Sequence, residues 1–70
     1  MERIAGTNQV KLNAEEKFHG IDLRQNAVIY EGPCILRVDV IEGDVIKVQG
    51  PGIAGARFFT GPLENLVKPQ

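Results

Sequence analysis

Gly50, Gly52 and Gly55 stand in a G-x-G-x-x-G spacing within "VIKVQGPGIAGARFF", directly after a run of β-branched residues. The chemistry this pattern serves is the cradling of a dinucleotide pyrophosphate by a tight loop that opens a helix. The same mechanism requires a helix, a second parallel strand and an acidic residue about 20 positions on. Only fifteen residues follow Gly55, and they include Pro62 and Pro69. The segment directly after it, "ARFFT", has strand character, and the residue 20 positions past Gly50 is Gln70, which is not acidic. No βαβ unit fits, so we expect neither a nucleotide site nor any other cofactor. The glycines are better explained by a wide hairpin tip or arm, where positive φ and close backbone approach are needed. Ile53 stands alone among small residues there. It either anchors a partner or folds back over the domain's own core.

The other residue types with chemical potential are sparse. His19 is the single histidine and Cys34 the single cysteine. A Cys–His nucleophile also needs a third orienting group and a pocket. Cys34 opens a strand-like run, where it acts as a small hydrophobe. One His and one Cys do not make a four-ligand zinc site. Glu15 and Glu16 suit the start of a helical turn, where carboxylates favour the dipole. These patterns lead us to expect no enzyme and no metal.

The elements that would position any site are short strands. "AVIYE" (27–31), "CILRVDVI" (34–41) and "VIKVQ" (45–49) are cut by "GP" and "EGD" and read as a three-stranded meander. Matching apolar residues across those turns sets Ile29 opposite Leu36, Ala27 opposite Val38, Val38 opposite Val48 and Val40 opposite Ile46. The other face then pairs Tyr30 with Ile35, Asp39 with Lys47 and Ile41 with Val45. About half of that face is apolar, which points to a second packing layer. Further strands are read in "NQVKLN", "GIDL" and "ARFFT". Asn13 and Glu16 have a capping-box spacing for one helical turn, and Pro62 suits the first position of another. The expectation is a single small all-β domain over residues 1–70. We expect a barrel or sandwich of five to six short antiparallel strands with at most one or two helical turns.

A 70-residue chain buries only about 60% of the surface its unfolded form exposes, so a lone core is marginal. Such domains lean on disulfides, a metal or association, and one cysteine leaves association. The net charge of −1 is spread without blocks, which gives no basic arm for nucleic acid and no acidic tail. No apolar run approaches a membrane span, and the N-terminus lacks the apolar stretch of a signal peptide. A cytoplasmic or virion location is therefore expected, without secretion by a signal peptide. The functional expectation is a structural protein that self-associates or docks on a larger assembly. A viral capsid decoration (cement) or other virion accessory protein is its most concrete form. Tyr30, Ile35, Ile41, Val45, Ile53 and Phe58 are the candidate interface. The rival is a small β-barrel that binds single-stranded nucleic acid by stacking bases on aromatics such as Phe58, beside Arg57, with Arg37 and Lys47 next in line.

Overall fold

A computed structural model describes residues 1–70. It contains β1 (Glu2–Arg3), β2 (Gln9–Leu12), β3 (Glu16–Ile21), β4 (Ala27–Glu31), β5 (Cys34–Glu42), β6 (Val45–Gln49), β7 (Arg57–Thr60), α1 (Leu63–Leu66) and β8 (Val67–Pro69). All pairings are antiparallel. They form a five-stranded sheet in the order β1-β2-β5-β6-β7 and a three-stranded sheet in the order β4-β3-β8. The sheets pack face to face as an open sandwich, so the expected all-β class holds.

Period-2 alternation decides which side chains enter the core. Val10 and Leu12 of β2, Leu36 of β5, Ile46 and Val48 of β6 and Phe59 of β7 point inward from the larger sheet. Phe18 of β3 and Val28 and Tyr30 of β4 meet them from the smaller one. The Phe18 ring lies 4.9 Å from Phe59 in an edge-on contact and 5.6 Å from Tyr30. Edge-on aromatic pairs add about 0.5–1.5 kcal/mol beyond their buried area. Leu63 of α1 closes one end.

The β5–β6 hairpin has the register deduced from its apolar pattern. Val38 opposes Val48, Asp39 opposes Lys47 and Val40 opposes Ile46. At its tip the register shifts, and Glu42 rather than Ile41 opposes Val45. The extra residue is a bulge, which places two residues of one strand against one of the other.

The expected pairing of 27–31 with 34–41 is overturned. β4 pairs with β3, with Phe18 opposite Tyr30 and His19 opposite Ile29, while β5 lies between β2 and β6. Gly32 and Pro33 are a crossing between sheets. The Gly32 N–H continues the β3 ladder by donating to the Glu16 carbonyl at 2.9 Å, and Cys34 already opposes Leu12. The inward face of β4 inverts as a result. Val28 and Tyr30 are buried, whereas Ala27, Ile29 and Glu31 face out.

The Asn13–Glu16 spacing forms no helix. Glu16 does reach back to accept the Asn13 N–H at 2.9 Å, as a capping box would, but the turn leads straight into β3. Pro62 precedes α1 in extended backbone rather than filling its first helical position, and it makes no side-chain capping bond. "GIDL" is the end of β3 followed by a turn.

Candidate functional site

The glycine segment joins β6 to β7, which are antiparallel neighbours. No helix begins in it. Gly50 is a close-packing position: a Cβ there would sit 2.5 Å from Leu36 Cδ2 and 2.8 Å from Tyr30 Cε1. Gly52 adopts φ +83° in open space, where the missing side chain serves the backbone turn. Ile53 is half-buried and packs on the core, which favours the second of its two readings.

His19 faces solvent from the outer side of β3, opposite the exposed Ile29. Cys34 points inward and packs against the core, and burial pushes its thiol pKa up. The two side chains lie on different sheets, His19 pointing outward and Cys34 into the core, and a raised pKa suppresses the thiolate that a nucleophile needs. No three His, Cys, Asp or Glu side chains converge.

The most organised polar site is Asp22, just after β3, which is almost fully buried. Its carboxylate accepts the backbone N–H groups of Arg24 and Asn26, each at 2.8 Å, and the Asn26 amide at 3.4 Å. Arg57 Nη1 lies 3.8 Å from it. These contacts hold its pKa below the ordinary carboxylate value, with the Asn26 N–H the largest cause and the Arg57 charge the smallest. Arg57 opposes Val48 and therefore points inward, while Phe58 on the same strand points out. Asp22, Leu23, Arg24, Ala56, Arg57 and Phe58 line a shallow pocket of about 320 Å³ between the loop and the β7 edge. Asp22 thus fastens the turn after β3 to the last strand of the other sheet. It also offsets the positive charge that a phosphate would need. Nearby, the Tyr30 hydroxyl and Arg57 Nε are both buried without a hydrogen-bond partner.

The six expected interface residues do not form one surface. Tyr30 is only 2% exposed and belongs to the core, which corrects its expected place on an outer face. Ile35 and Phe58 are exposed on the outer side of the five-stranded sheet, but charged neighbours separate them. Ile35 lies opposite Lys11, and Phe58 lies opposite Lys47, itself paired with Asp39. Ile41 is exposed at the hairpin tip, and Val45 and Ile53 are half-buried.

Two apolar surfaces were not anticipated. At the tip of the β5–β6 hairpin, Val40 shares the inward side with Leu36 and Val38 yet is 76% exposed. The long β5 overhangs the smaller sheet there. Val38, Val40, Ile46, Pro62 and Leu63 contribute to a groove of about 340 Å³ with Arg3, Asp44 and Glu64 at its rim, and Arg3 and Glu64 form an ion pair. The second surface is the outer side of the three-stranded sheet. Ile21 (53% exposed) opposes Ala27, and Ile29 (48%) lies two residues along β4, with the exposed Leu23 just beyond β3. Apart from His19, opposite Ile29, this patch has no ionisable side chain until Lys17 and Glu31 at its far end. Its sequence signal was the shared parity of Ala27, Ile29 and Glu31, because the glutamate marks the solvent side.

No protein-family model, curated protein or solved structure matches the chain. No helix is long and apolar enough to cross a membrane.

Proposed function

We propose that this chain is a non-catalytic assembly module, which binds copies of itself and docks on a larger structure. A virion accessory role, such as capsid decoration, is the most concrete form of this reading. The observation that carries it is the apolar surface of Ile21, Ala27 and Ile29 on an exposed sheet face. Contiguous exposed apolar groups of this kind mark contact sites more often than isolated ones do. The small core of ten buried apolar side chains adds a stability motive, since covering that face would supplement it.

The single-strand-binding reading draws on the pocket that holds Arg24, Arg57 and the exposed Phe58. Arg57 there is committed to Asp22, and binding of a phosphodiester chain would need a larger positive cluster.

Light scattering at micromolar concentration, alongside titration with a fluorescent oligonucleotide, tests the choice. The expected result is a mass above that of the 7.7 kDa chain and no salt-dependent oligonucleotide binding. A monomer that binds oligonucleotide with steep salt dependence, weakened by Arg57→Ala, would reverse the order of the two readings.

A further inference from the structure

A sheet edge offers backbone groups to any strand that can pair with it, and proteins normally blunt such edges. Three of the four edges here are blunted. β1 has two residues, both charged, and β8 has three, including Lys68 and Pro69. β7 is partly engaged, because the Leu23 N–H donates to the Phe58 carbonyl at 3.0 Å. β4 is different. It is five residues long, carries no proline, lysine or bulge, and is hydrogen-bonded on one side only.

The direction of its backbone groups follows from the ladder. The Asp22 N–H donates to the Asn26 carbonyl and the Gly32 N–H to the Glu16 carbonyl, each at 2.9 Å. Both pairs lie on the β3–β4 register, one step beyond its two ends. Hydrogen-bonded and non-hydrogen-bonded pairs alternate in an antiparallel ladder. Val28 and Tyr30 therefore direct their N–H and C=O groups to β3. Ala27, Ile29 and Glu31 direct theirs to the open edge, and these are also the residues whose side chains are exposed.

We infer that this edge pairs with the β4 strand of a second copy, antiparallel and across a two-fold axis at Ile29. This inference rests on the assembly reading above and names its contact. The register is self-complementary. Ile29 meets its own copy, and each Glu31 meets an Ala27, so no like charges oppose one another. A shift that set Glu31 against its own copy would bring repulsion and lose pairs. The centred register forms three hydrogen-bonded pairs, or about six interchain bonds at two per pair. The two small sheets merge into one of six strands, and Ile21, Ala27 and Ile29 of both copies share one outer face.

Residue 29 opposes itself, and that gives a direct test. Sedimentation equilibrium is run on the unmodified chain, on Ile29→Lys, on Ile29→Glu and on an equimolar mixture of the two variants. The unmodified chain is expected to dimerise, and each variant to dimerise about tenfold more weakly or worse, because like charges then face each other. The mixture is expected to recover the dimer, because Lys then faces Glu. An oligomer indifferent to position 29, or a mixture that stays as weak as its components, overturns the β4 contact and leaves the assembly reading standing. A monomeric unmodified chain overturns both the contact and self-association. Amide hydrogen exchange on the unmodified chain decides the matter should the variants not fold. Ala27, Ile29 and Glu31 are expected to gain protection as concentration rises, and unchanged exchange at these three amides rejects the contact.

Discussion

Gly52 and Gly50 carry different constraints although they are two residues apart in one motif. At Gly52 the backbone is left-handed and the space is open, so Gly52→Ala strains only the chain. We expect a loss of about 1 kcal/mol, which for a domain of this size lowers the melting temperature by about 4–8 °C. At Tyr30 the ring fills the core, the buried hydroxyl makes no hydrogen bond of ordinary geometry, and burial raises its pKa against a smaller lowering from the Gly50 N–H. Tyr30→Phe keeps the ring and removes the unpartnered group, so calorimetry should find stability unchanged or increased. Asp22 gives the pH dependence. Its folded pKa is depressed, so the unfolded chain binds the proton more tightly. Its contribution is present above the ordinary carboxylate value near 3.9 and is lost as pH falls through the lower folded value. Asp22→Asn should lower the melting temperature at neutral pH and flatten its decline on acidification.

Inward parity alone does not make a core position in β5, because the strand outruns the sheet that covers it. Leu36 is fully buried and Val40, four residues on, is mostly exposed. Chemical denaturation should therefore separate them. Leu36→Ala is expected to cost about 2–5 kcal/mol, and Val40→Thr within about 0.5 kcal/mol of nothing. This difference also marks the limit of what the sequence discloses. The β5–β6 register was legible because Val38, Val40, Ile46 and Val48 allow only one apolar match across a short turn. The partner of β4 was not legible, since local alternation does not say which distant strand completes a sheet. Apolar Ile29 and Ile35 on the wrong faces made the false hairpin self-consistent. Glu31 contradicted it by sharing a side with Ala27 and Ile29. The Asp22–Arg57 link was also out of reach, as it joins residues 35 apart that only the closed sandwich brings together.

The whole molecule is a thin sandwich, with a Cα radius of gyration of 11.0 Å and ten buried apolar side chains. Its chemistry-bearing residues are scattered, and its apolar outer surface lies beside an open strand edge. Association through that edge would extend the sheet and bring the apolar surfaces of two copies side by side, so stability and assembly should be linked by mass action. The most direct measurement is the melting temperature followed by calorimetry from low micromolar to near-millimolar protein. The melting temperature is expected to rise steadily with concentration, as it must when folded copies bind one another and unfolded ones do not. A cooperative transition at one fixed temperature across that range, from a species of 7.7 kDa, would contradict it.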